Sequence, residues 1–105
     1  MLTINLEFPQ QKLTEFCRRW QIRELALFGS VLRPDFGPES DVDLLVTFEP
    51  AADWSLFDHI RMQDELSQLF KREVDLLTRR AVERSHNQPR RDEILKTAET
   101  IYVSG

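Results

Sequence analysis

The sequence predicts an α+β domain, a small mixed β-sheet with helices packed mainly on one face. Three observations carry this. Helical and strand patterns interleave in the order helix, strand, loop, strand, helix, strand, helix. The strand candidates are short apolar runs, and the second is apolar on both faces at its centre, as an interior strand must be. The chain has 105 residues, enough for one compact core and no more, so 1–105 is expected to form a single domain.

The first helix is expected from about Pro9 to Trp20. Leu13, Phe16, Cys17 and Trp20 recur at helical spacing on one face. Pro9 suits the first turn, where its missing N–H is no loss. Glu24 to Phe28 is an apolar run that stops at Gly29 and reads as a buried strand. Gly29 to Ser40, with Gly29, Pro34, Gly37 and Pro38, reads as a loop. Asp41 to Phe48 is a second strand with Leu44, Leu45 and Val46 at its centre, ended by Pro50. A longer helix is expected over about Trp54 to Phe70, with Leu56, Ile60, Met62, Leu66, Leu69 and Phe70 as its apolar stripe. Glu73 to Thr78 is a third strand. Ser85 to Pro89 reads as a loop. The last helix is expected from about Pro89 to Tyr102, with Ile94, Ala98, Ile101 and Tyr102 on one side, and Val103 to Gly105 as a frayed end.

Composition narrows the function classes. Hydrophobic residues make up 41% and charged residues 30%, a globular rather than disordered or fibrous balance. No apolar run approaches the ~18 residues that cross a bilayer. Met1 to Gln10 shows no basic region followed by a long apolar stretch, so no secretory signal is expected and the cytoplasm is the expected compartment. The single cysteine, Cys17, excludes an internal disulfide and reads as a small core residue. His59 reads as a packed histidine, since no second ligand lies one turn away.

Fourteen basic against eighteen acidic residues give a net charge of −4, the wrong sign for a general nucleic-acid binder. Arg79, Arg80, Arg84, Arg90 and Arg91 nevertheless crowd together. They read either as a local anion site or as a solvated loop and helix start.

The chemistry-bearing residues lie around the central strands. Strand alternation points Asp41 and Asp43 the same way, about 6.6 Å apart along the chain. Two like charges on one face repel, and a shared divalent cation would relieve them. Oxygen-only ligands suit Mg²⁺ or Mn²⁺, and magnesium prefers one or two carboxylates plus substrate phosphates. Asp75 sits among apolar residues of the third strand and could face the same site. Glu73 shares its strand parity, but Asp75 lies deeper. Three carboxylates could hold two metals, or one metal plus a general base. Gly29 and Ser30 follow an apolar strand, where turned N–H groups can cradle phosphate, and Arg33 is a charge partner for a triphosphate. Each signal alone is a common turn or strand start. The combination is specific.

Leu27-Phe28-Gly29-Ser30-Val31-Leu32-Arg33, followed by Ser40-Asp41-Val42-Asp43-Leu44-Leu45-Val46, resembles the signature of the polymerase-beta-like nucleotidyltransferases. Val74-Asp75-Leu76-Leu77-Thr78 fits the same pattern, and the small size points to the minimal (MNT-type) members. The resemblance implies metal-dependent transfer of AMP from ATP to a hydroxyl. It implies Asp41, Asp43 and Asp75 as catalytic metal ligands for two Mg²⁺ ions, and Gly29, Ser30 and Arg33 as the nucleotide-binding group. It also implies a partner, since minimal members act as antitoxins that AMPylate a tyrosine of a HEPN-domain ribonuclease toxin. Val31 and Pro34 depart from the family pattern, which has a polar residue and a glycine there. Pro34 removes one N–H donor from the phosphate turn. Two other readings stay open: a binding-only antitoxin, and a nucleotidyltransferase with a small-molecule acceptor.

Overall fold

The computed structural model describes Leu6, residues 8–37 and residues 39–104. The expectations for Met1 to Asn5, Glu7, Pro38 and Gly105 fall outside these. Helix α1 spans Gln10–Arg19, with Pro9 at its N-cap and Leu13, Phe16 and Cys17 buried. Strand β1 spans Ile22–Phe28 and passes into a 3-10 turn, Gly29–Leu32. Strand β2 spans Val42–Phe48 and helix α2 Leu56–Phe70. Strand β3, Val74–Thr78, leads into the short helix α3, Arg79–Glu83. Helix α4, Gln88–Thr97, is followed by strand β4, Glu99–Val103.

The four strands form one mixed sheet in the order β3-β2-β1-β4. β1 runs antiparallel to β2 and β4, and β2 runs parallel to β3. Strand alternation sorts the residues. Leu25, Leu27, Val42, Leu44, Val46, Val74 and Leu76 face α1 and α2 and build the larger core with Leu13, Phe16, Met62, Leu66 and Phe70. Ala26, Phe28 and Leu45 face the other way and meet Val82 of α3 and Ile94 of α4 in a smaller cluster. Helices α1 and α2 thus share the thicker layer, and α3 and α4 make a thinner one.

Local chemistry explains the boundaries. Ser55 caps α2 through a reciprocal pair: its hydroxyl accepts from the Asp58 N–H at 3.2 Å, and Asp58 accepts from the Ser55 N–H at 2.9 Å. Lys71 ends α2 in the left-handed conformation, φ 56°. The outer edge of β3 is closed by α2 side chains one turn apart. Ser67 accepts from the Val74 N–H at 3.1 Å, Gln63 accepts from the Leu76 N–H at 2.9 Å, and His59 Nε2 meets the Leu76 carbonyl at 2.8 Å. A helix face stands in for a missing strand and blunts an edge that would otherwise invite pairing.

Three expectations need correction. The last helix does not reach Tyr102: it stops at Thr97, and Ile101 and Tyr102 belong to β4, which pairs with the open side of β1. Val103 does not fray but ends β4 opposite Glu24, and the Ser104 N–H donates to the Arg23 carbonyl at 2.8 Å. Ile94, Ala98 and Ile101 fall at helical spacing by coincidence. The run Thr100-Ile101-Tyr102-Val103 is β-branched and aromatic, and pairing with β1 satisfies the inner side of its backbone. The α2 stripe is also narrower than expected. Met62, Leu66 and Phe70 are buried, while Leu56 and Ile60 are 74% and 55% exposed.

Candidate active site

The strand β1 ends where the chain must turn sharply. Gly29 has φ +75°, a conformation that side chains disfavour. A Cβ there would also collide with the Asp43 carboxylate, whose Cγ would lie 3.3 Å away. Glycine is therefore required twice, for the turn and for the approach of Asp43. Val31, one of the departures from the family pattern, is buried in the larger core and anchors this turn. The Ser30 hydroxyl donates to the Asp41 carbonyl at 3.1 Å, tying the turn to the start of β2.

Arg72 fixes the loop from the far side. Its guanidinium donates to the carbonyls of Gly37 at 2.7 Å and Ser40 at 3.0 Å and lies over the Phe36 ring, 4.4 Å from its centre. The position of Asp41 is thus held by two clamps, Ser30 and Arg72.

Asp43 sits opposite Phe28 of β1 and beside Asp75 of β3 in the parallel register. It points to the α3 and α4 face, since its neighbours Val42 and Leu44 belong to the larger core. Asp41 and Asp75 are exposed and Asp43 is half-buried. Burial lifts the Asp43 carboxyl above the ordinary carboxylate range, and the charges of Asp75 and Asp41 lift it further. A hydrogen bond from the Ser30 N–H and the charge of Arg90 pull it back down. Glu73 lies just before β3, and its carbonyl accepts from the Val42 N–H at 2.9 Å.

A cleft of about 300 Å³ opens beside Asp43. Gly29, Ser30, Arg33 and Asp43 form one wall, and Arg90, Glu93 and Thr97 of α4 form the other. Three of the sequence-expected residues, Gly29, Ser30 and Arg33, thus share one cavity with Asp43, while Asp41 and Asp75 are not among its lining residues and Asp75 lies beside Asp43 on the neighbouring strand. The α4 wall was not expected. The only trace of it in the sequence is the arginine cluster, and the structure divides that cluster. Arg79 lies 3.8 Å from Glu24 and 3.6 Å from Glu83, and Arg91 lies 3.4 Å from Asp92. Arg90 alone of the five borders the cleft.

Among the described residues, no three Asp, Glu, His or Cys side chains are gathered into a preformed metal cage. The donor set nonetheless fits a hard cation. It consists of mutually repelling carboxylates, and magnesium needs only one or two carboxylates when substrate phosphates complete its shell. No helix among the described residues is long and apolar enough to cross a membrane.

Residues 10–101 match the nucleotidyltransferase domain family. Protein adenylyltransferase MntA of Thermococcus cleftensis is 36% identical over 81 residues, which cover 73% of this chain and 80% of that protein. A crystal structure of a toxin–antitoxin with AMP-PNP contains a chain that superposes with a TM-score of 0.68 at 18% identity. The match covers 90% of this chain and 73% of that one. A complex of tri-AMPylated Shewanella oneidensis HEPN toxin with an MNT antitoxin gives a TM-score of 0.59 at 18% identity, covering 90% and 70%. At these identities the two structures speak for the fold.

Proposed function

The chain belongs to the nucleotidyltransferase domain family, and from that premise we propose that it transfers AMP from ATP to a tyrosine of a HEPN ribonuclease toxin, acting as its antitoxin. One observation carries this reading above the others. Asp43 and Asp75 stand side by side in register, with Asp41 close enough to act on Asp43, and the missing Cβ of Gly29 lets the Asp43 carboxylate lie against the phosphate-type turn. A purely structural site gains nothing from like charges held this close.

In this reading Asp41, Asp43 and Asp75 hold Mg²⁺, with Mn²⁺ as the alternative. Bound there, the ions neutralise charge on the triphosphate and on the departing pyrophosphate. The backbone of Gly29 and Ser30 and the Arg33 side chain bind the triphosphate. The tyrosine oxygen forms a bond to the α-phosphorus, the bond from that phosphorus to pyrophosphate breaks, and pyrophosphate leaves. The phenol proton passes to Asp75. Positioning and charge stabilisation supply most of the rate, as phosphoryl-type transfers ask little covalent chemistry of the protein. The relatives support the parts of this reading separately: one is an adenylyltransferase, one toxin–antitoxin structure holds AMP-PNP, and one HEPN toxin bears three AMP groups.

The test is mass spectrometry of a HEPN toxin that binds this chain, after incubation with the protein, Mg²⁺ and ATP. The expected result is a mass gain in AMP units, absent with the Asp41→Asn/Asp43→Asn variant. A stable complex that silences the toxin's ribonuclease activity without any mass gain would overturn transfer and leave a binding-only antitoxin.

A further inference from the structure

Beside the nucleotide cleft lies a second, smaller hollow of about 160 Å³ between β3, α3 and α4. We propose that this hollow is the acceptor subsite, seating the aromatic ring of the tyrosine that receives AMP. The inference rests on the nucleotidyl-transfer reading above and adds to it where the acceptor sits.

Position comes first. Leu77 lines the hollow and follows Asp75 by two residues on β3. Both therefore face α3 and α4, about 6.6 Å apart along the strand. A ring lying over Leu77 directs its hydroxyl along the strand toward Asp75 and Asp43. Serine and threonine are too short to fill the hollow and reach the carboxylates together, so the geometry selects a phenol.

Size and lining agree. Leu77, Val82 and Ile94 give an apolar surface, with Val82 and Ile94 buried and therefore fixed. Ala81 is small and exposed and leaves the mouth open. Arg90 and Arg91 stand at the rim, where a guanidinium favours an aromatic face. The volume suits one ring and falls below the roughly 300 Å³ at which pockets for whole drug-sized ligands begin.

The two spaces adjoin. Arg90 and Ile94 line both the hollow and the cleft that holds Gly29, Ser30, Arg33 and Asp43. Helix α4 therefore borders both, and the acceptor and donor would lie along the same helix. This gives Arg90 and Arg91 different neighbours from Arg79, which lies near Glu24 and Glu83.

Amide NMR of the full chain tests the assignment with two probes, N-acetyl-L-tyrosinamide and AMP-PNP. Tyrosinamide is expected to shift the amides of Ala81, Val82, Ser85 and Ile94 saturably, and AMP-PNP those of Gly29, Ser30 and Arg33. Ala81→Phe fills the hollow from an exposed helix position. Its N–H keeps the cap from the Thr78 hydroxyl, which accepts at 3.1 Å. That variant is expected to lose the tyrosinamide response at least tenfold and to keep the AMP-PNP response. A hollow that answers AMP-PNP and ignores tyrosinamide would be a nucleobase seat, and the proposal would fail. It would fail equally if neither probe moved those residues, or if Ala81→Phe left the tyrosinamide response intact. Absence of any AMP-PNP response at Gly29 to Arg33 in the unaltered chain would instead sink nucleotide binding, and the acceptor role with it.

Discussion

The two faces of the sheet are made by the same strands and do opposite things. Toward α1 and α2, β2 presents Val42, Leu44 and Val46, all fully buried in a continuous apolar core. Toward α3 and α4, the same strand presents Asp43 and Leu45, and the cover is one turn of helix plus α4. The first face is closed and carries most of the apolar burial. The second is left open at the end where the carboxylates lie. Asp43 and Leu44 are chain neighbours, yet one holds repelling charge and the other holds the fold together. A chain of this size can host a charged site because strand alternation separates stability from chemistry residue by residue.

The largest expected effect is on the open face. Asp75→Asn should lower AMP transfer by about 10²–10³-fold or more, the scale of losing one preorganised charge-stabilising group. Its circular dichroism spectrum and its affinity for the partner should stay unchanged. Loss of folding would show that the two faces are not separable.

The neighbouring closed face should respond in stability instead. Leu44→Ala removes a fully buried side chain and should cost about 2–5 kcal/mol in a urea titration. Transfer per folded molecule should remain near that of the unaltered chain. Gly29→Ala bridges the faces. Its left-handed backbone should cost about 1–2 kcal/mol, and the new Cβ should push the Asp43 carboxylate aside. Stability and AMP-PNP affinity should fall together. A variant that lost only stability would mean that Asp43 has room to move without consequence.

A smaller effect sharpens the contrast from inside the closed face. Burial pushes the Cys17 thiol up to about 12. At pH 8 it should resist a thiol reagent in the folded protein and react within seconds after unfolding. Rapid labelling of the native chain would mean that the closed face opens.

Much of this division is legible in the sequence. The β2 run Leu44-Leu45-Val46 announces a strand covered on both sides, and the parity of Asp41 and Asp43 gives their shared direction. Thr100 to Val103 is harder to read, because Ile94, Ala98 and Ile101 mimic a helical stripe. The deciding factor is the unpaired side of β1, a tertiary fact. The exposure of Leu56 and Ile60 is hidden for the same reason: the helical period gives a stripe, while the width of the partner sheet decides how much of it is covered. The α4 wall is the largest omission. Spacing reveals five arginines, yet only the packing of Val82 and Ile94 on Leu45 and Phe28 decides that Arg90 reaches the cleft. Arg72 is equally silent in the sequence, since its two carbonyl partners lie more than thirty residues earlier.

The most direct test is the melting temperature of Asp43→Asn against that of the unaltered chain, with chelator present, from pH 7 down to pH 3, with AMP transfer of both measured separately in Mg²⁺ and ATP at pH 7. Asp43 has a native pKa raised by burial and by Asp75 and Asp41. Between the ordinary carboxyl value and that raised one, the folded chain binds more protons than the unfolded chain. Stability therefore falls as pH rises through that window, and above it the ionised carboxylate is a constant cost. Asp43→Asn is expected to melt higher at pH 7, the gap is expected to close as the pH falls below the ordinary carboxyl range, and transfer in Mg²⁺ is expected to be lost. A variant that melts lower at pH 7, or that still transfers AMP, would contradict the claim that this face trades stability for chemistry.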